Sequence, residues 1–128
     1  MARRERPERG AAVVDFVLVL LVLVPLVLGI LQVALVMHVR NTLASAAAEG
    51  ARYAAATRAT SADGVARTRQ QIEDAIAGRF ADDVTVRRVL VGGVPTIEVV
   101  VRAKVPALGL GGPSVDLVVE GHAVQEPP

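Results

Sequence analysis

The sequence predicts an α+β protein: a long N-terminal helix, a second short helix and a small antiparallel sheet of three strands. Three observations carry this. A nearly unbroken apolar run extends from Ala11 to Met37. The stretch that follows, His38 to Ala59, contains no proline and is dominated by alanine, the strongest helix former. From Asp82 onward, apolar residues recur at every second position, the period of a strand with one buried face.

The apolar run is long enough to be a membrane span. Phe16 to Met37 is about 22 residues, or about 33 Å of helix, against a hydrocarbon core of ~30 Å. A secretory signal has a shorter apolar core followed by a small-residue cleavage site, whereas Val33 to Met37 is mainly Val, Leu and Met. Arg3, Arg4, Arg6 and Arg9 precede the run, and only Arg40 and Arg52 follow closely. The positive-inside rule therefore predicts a cytoplasmic N-terminus, with everything after Met37 on the other side. Asp15 sits inside the start of the run, five positions after Gly10 and next to Phe16. A carboxylate in a bilayer-length helix costs roughly 2.5–3.5 kcal/mol on insertion scales, which marks Asp15 for a partner or a task. Pro25 lacks an N–H and crowds the carbonyl of Leu21, so a kink is expected there; Gly29, one turn on, permits close approach of another chain.

Past the lipid, Ala46, Gly50 and Ala54 form a small-residue stripe at four-residue spacing. It suits close helix packing against either the protein's own domain or neighbouring copies. A second helix is expected from Ser61-Ala62-Asp63, with Val65, Ile72, Ala75 and Ile76 at helical spacing and Gly78 as its stop. Val84–Val91 and Ile97–Val105 read as strands joined at Gly92-Gly93, and Val115–His122 reads as a third. The expected inward residues are Ile97, Val99, Val101, Ala103 and Val105, then Val115, Leu117 and Val119. Glu98, Arg102 and Lys104 are expected to face water, and the tail from Gln125 to fray.

Composition excludes several classes. There is no cysteine, so thiol catalysis, disulfides and cysteine metal sites are ruled out. A net charge of +1 and aromatics at 2% do not suit nucleic-acid binding, and Arg87-Arg88 has no stacking residue beside it. His38 and His122 stand on different elements without ligand spacing, which predicts no metal site. Gly109-Leu110-Gly111-Gly112 precedes a proline and a strand and lacks the Lys-Ser/Thr of a phosphate loop. No nucleophile or acid–base set is visible, so no enzyme, cofactor or small-molecule substrate is expected.

The words Glu8-Arg9-Gly10-Ala11-Ala12-Val13-Val14-Asp15-Phe16, then Asn41-Thr42-Leu43, then Glu49-Gly50-Ala51-Arg52 give the chain a specific resemblance. It resembles the TadE-like family, small pilin-related proteins of tight-adherence (Flp-type) pilus systems. The resemblance implies a pilin-like layout: a cytoplasmic leader over 1–10, a transmembrane helix over 11–37, its extracytoplasmic extension over 38–60 and an α+β domain over 61–128. It also implies cleavage by a prepilin peptidase between Gly10 and Ala11. The expected partners are membrane lipid, that peptidase, other pilin-like subunits and the pilus assembly machinery, with Asp15 of one subunit meeting the new amine on Ala11 of another. A side-chain-free Gly10 in extended backbone would suit a narrow protease cleft. Relatives usually carry Glu at the Asp15 position and an acid where Gln32 stands. The competing expectation is an uncleaved single-span membrane protein whose outer domain binds an envelope partner.

Overall fold

The computed structural model describes residues 6–56 and 58–127, with only the backbone for Arg6 and Pro7. Arg3, Arg4 and Glu5 of the basic leader lie outside the described residues. The elements, in order, are helix α1 (Arg6–Ala55), helix α2 (Ser61–Ala75), a short 3-10 turn at Gly78–Ala81, strands β1 (Asp83–Val91) and β2 (Val94–Pro106), a second 3-10 turn at Ala107–Gly109, and β3 (Ser114–Val124). Two compact units result, residues 1–34 and residues 35–128.

In the first unit, α1 opens with Pro7 near its start and Glu8 in its first turn, both suited to unpaired N–H groups and a positive dipole end. It continues through Pro25, and its apolar side chains are exposed: Phe16 at 63% and Val22 at 70%. This is the single helix among the described residues long and apolar enough to cross a membrane. A hydrophobic surface of this extent has no reason to face water; lipid or protein covers it.

In the second unit, the C-terminal part of α1 supplies one wall of a core. Val39, Leu43, Ala47 and Ala51 recur every four residues on one face and are all buried. They meet Ile72 of α2, Phe80, and the inner face of the sheet: Val84, Val99, Val101, Val105, Leu117 and Val119. The sheet is antiparallel in the order β1-β2-β3. Gly92 and Gly93 adopt φ of +58° and +82°, the left-handed pair that a two-residue hairpin turn requires. That turn fixes the register, pairing Val91 with Val94 and Arg87 with Glu98.

The cap of α2 lies one residue before the expected Ser61. Thr60 is the N-cap: its side chain accepts from the Asp63 N–H at 3.2 Å, while Asp63 Oδ2 accepts from the Thr60 N–H at 2.7 Å. This reciprocal capping box holds the Asp63 carboxyl below its ordinary pKa, through the Thr60 side chain first and its backbone second.

Five expectations need correction. Helix α1 stops at Ala55, not Ala59. Arg58 turns to φ 77°, and the Ala55 carbonyl accepts the Glu126 N–H at 3.0 Å, so a tertiary contact ends a stretch whose alanines favour continuation. The same bond, with Gln125 N–H on the Pro95 carbonyl at 3.0 Å, ties down the tail that was expected to fray. α2 ends at Ala75, with Ile76 capping it in extended backbone, not at Gly78, which instead opens the 3-10 turn. Glu98 is buried at 7% rather than solvated, because β2 is the central strand and long side chains on both neighbours cover it. Val115 is 44% exposed, at the start of β3, which is an edge strand of the sheet.

Candidate functional site

The residues singled out from the sequence fall into two groups. Gly10, Ala11, Asp15 and Phe16 all lie within α1 and are exposed. Gly10 is therefore helical rather than extended, and an added Cβ there would meet nothing within 4 Å. Ala11 and Asp15 stand one turn apart on the same face. Further along, Pro25, Leu26, Gly29, Ile30, Val33 and Ala34 line a shallow, almost wholly apolar concavity on one side of the helix.

The second group lies in the outer unit. Ala46, Gly50 and Ala54 are all buried, and the stripe packs on the protein's own α2. A Cβ on Gly50 would come within 1.8 Å of Thr68 Oγ1 and 3.0 Å of the Gly64 carbonyl oxygen. A Cβ on Gly64 would lie 2.6 Å from that of Ala54. Two glycines thus let two helix backbones meet, and Thr68 Oγ1, completely buried, donates to the Gly64 carbonyl at 2.8 Å. In Asn41-Thr42-Leu43, Leu43 enters the core, Thr42 donates to the His38 carbonyl at 3.0 Å, and Asn41 is exposed. In Glu49-Gly50-Ala51-Arg52, Gly50 and Ala51 are packing positions. Glu49 lies 3.6 Å from Arg67 of α2 and 3.8 Å from Arg52. Each word thus contains packing residues of α1: Leu43 in the first, Gly50 and Ala51 in the second.

Sequence reasoning missed a polar cluster on the outer face of the sheet. The Glu98 carboxylate accepts from Arg87 Nε on one oxygen and lies 3.1 Å from His122 Nε2 on the other. The Arg87 contact, then that of His122, holds Glu98 below the usual carboxylate range despite its burial, and Arg87 is raised in return. The signal was available: Arg87 and Glu98 are equidistant from the Gly92-Gly93 turn, so a two-residue hairpin places them opposite each other. Glu98, Glu120 and His122 bring three ligand-type atoms within 4.8 Å of one another. Since Arg87 and His122 already occupy both oxygens of Glu98, the cluster is a cross-strand polar ladder that knits the three strands, with Arg87–Glu98 as its ion pair. Gly121 was also missed; a Cβ there would lie 2.3 Å from the Ala47 carbonyl carbon. Alternation alone gives no hint that a helix backbone touches that point of β3.

These features define a class: a chain with one N-terminal helix fit to span a membrane, followed by a small α+β domain folded around that helix's continuation. Within that class, residues 10–52 match the family of TadE-like proteins, so the N-terminal third of the chain is a TadE-like segment, as the motif words implied. The match associates the protein with tight-adherence pilus systems and with the membrane. No curated protein and no solved structure matches the chain.

Proposed function

We propose that the protein is a minor pilin or pseudopilin-like subunit of a tight-adherence pilus. It is inserted with its N-terminus in the cytoplasm, trimmed between Gly10 and Ala11 by a prepilin peptidase, and assembled through its N-terminal helix with residues 38–128 outside. The observation that carries this reading is the Gly10–Asp15 junction, which stands at the very start of the TadE-like match. The helical state of Gly10 is compatible with cleavage. Helix ends fray readily, Gly10 lies only four residues from the start of α1, and a glycine weakens a helix by roughly 0.5–1 kcal/mol relative to alanine. Cleavage leaves an ammonium on Ala11 near lipid, where an Asp15 carboxylate on an adjoining subunit neutralises it. A neighbour shifted along the axis leaves both charges unpaired in a poor solvent, so the pair selects one register. The small-residue stripe is occupied within the subunit, which leaves the exposed apolar face of residues 11–34 as the surface for assembly.

The test is the intact mass of the protein extracted from native membranes, with Gly10→Phe as the comparison. The expected result is a wild-type chain starting at Ala11 and a Gly10→Phe chain that keeps its leader. A wild-type chain retaining residues 1–10 overturns the reading and supports an uncleaved single-span protein with an outer partner-binding domain.

A further inference from the structure

We propose that the loop joining β2 to β3, residues 107–113, inserts into the lipid interface where α1 leaves the bilayer, with Leu110 as its anchor. The inference rests on α1 crossing a membrane, and not on cleavage at Gly10 or on a place in a filament.

The first observation is chemical. No charged residue occurs between Lys104 and Asp116. Leu110 is 90% exposed, the most exposed large apolar side chain among the described residues, and Leu108 beside it is 36% exposed. The loop has a defined shape: the Ala107 N–H donates to the Pro113 carbonyl at 2.9 Å and the Leu110 N–H to the Ala107 carbonyl at 3.0 Å. Leu108 itself sits at φ 48°, a backbone region costly for leucine, between Ala107 and a Gly109 at φ 75°. A leucine held out at the tip of a closed, uncharged loop is the pattern of a side chain meant for a non-aqueous neighbour.

The second observation is position, and it identifies that neighbour. β3 runs in the same direction as α1: Gly121 lies against Ala47 and Ala48, and Glu126, five residues on, bonds to Ala55. From Ala47 to Ala55 the helix rises about 12 Å, so the strand advances about 2.4 Å along the helix per residue. Ser114, seven residues before Gly121, is then about 17 Å back, level with about Val36. Leu35 and Val36, at that level of α1, are partly buried against the domain's core. The apolar run ends at Met37. The loop therefore lies at the end of the domain where the apolar run joins it, level with the last apolar residues of α1, with the Lys104–Asp116 pair, 3.8 Å apart, as the polar boundary behind it. Apolarity alone would not single out this loop. Leu90, 73% exposed, is nearly as bare, but it lies beside the Gly92-Gly93 turn at the opposite end of the sheet, near the level of Ala55.

The chain lacks cysteine, which makes single-site labelling direct. The full-length protein carrying Leu110→Cys, Leu90→Cys or Val22→Cys is labelled with an environment-sensitive nitrobenzoxadiazole dye. Each variant is reconstituted in phosphatidylcholine/phosphatidylglycerol vesicles containing doxyl-labelled lipid. The expected result is blue-shifted emission at position 110, with quenching by a shallow doxyl group about twofold or more that seen at position 90. Emission at 110 that is quenched by aqueous iodide as strongly as at 90 overturns the proposal. So does a blue shift at 110 that doxyl lipid leaves untouched, which would mean that protein covers the loop. Val22→Cys separates the two levels of failure. A label at position 22 quenched by deep doxyl groups keeps the membrane reading whatever the loop does, whereas one left in water overturns both.

Discussion

Replacing Gly121 by alanine adds one methyl at the point where β3 touches the helix backbone. The new Cβ would lie 2.3 Å from the carbonyl carbon of Ala47 and 2.4 Å from both the Ala47 oxygen and the Ala48 nitrogen. Carbon atoms rest at about 3.5–4.0 Å, so helix and strand must part by more than about 1 Å, and no side-chain rotation relieves a clash with main-chain atoms. A gap of that size forfeits a quarter to a half of each dispersion contact across the interface, which includes Leu43, Ala47 and Ala51 against Val99, Val101 and Val119. Overpacking typically costs about 1–3 kcal/mol. With a rigid partner, the upper end, about 3 kcal/mol, is expected, roughly a hundredfold in the folding constant. The assay is pulse proteolysis of the full-length protein in detergent micelles across a urea series, following protection of residues 35–128. Gly50→Ala is the internal comparison. Its Cβ would strike the Thr68 hydroxyl at 1.8 Å, which is a side chain, so Thr68→Ala in the same molecule restores part of the loss. No side-chain truncation on α1 should restore Gly121→Ala. A Gly121→Ala protein within ~0.5 kcal/mol of wild type would refute the close-contact argument.

Three further outcomes follow from the same contacts. Leu43→Ala, at a fully buried position, should cost about 2–5 kcal/mol, while Asn41→Ala, exposed two residues earlier, should stay within about ±0.5 kcal/mol in the same urea assay; equal losses would mean the Asn-Thr-Leu word does not act through packing. Thr60→Ala removes one half of the α2 capping box and should cost ~1 kcal/mol, read as faster amide exchange in the first turn of α2 than elsewhere in the domain. Because the folded state holds Glu98 below its ordinary pKa, its contribution is present above the unfolded carboxylate value of ~4.3 and is lost as pH falls through the lower folded value. Stability measured from about pH 5 to about pH 3 should fall less steeply for Glu98→Gln than for wild type, and identical slopes would show that the Arg87–Glu98–His122 ladder is not formed in solution.

The membrane span, the two-residue hairpin turn and the strand alternation were all legible in the chain, because each depends on residues near one another: a run of lipophilic side chains, a Gly-Gly pair able to take positive φ, a period of two. The same holds for the motif words that resemble TadE-like proteins, whose family matches residues 10–52. What the stripe Ala46–Gly50–Ala54 packs against was not legible, since small residues suit a neighbouring copy as well as α2, and only the placement of Gly64 and Thr68 decides it. Burial of Glu98 was hidden for a similar reason. Alternation assigns it to the outer face, and only the sheet order, with β2 central and Arg87 and His122 on either flank, determines that this face is covered. The level of the 107–113 loop and the exact stop of α1 at Ala55 likewise wait on which distant backbone groups meet. Sequence by itself determined the local elements and the surface meant for lipid, because those follow from the chemistry of adjacent residues. The fold decided which small and charged residues face one another, because that is a matter of distances between segments far apart in the chain.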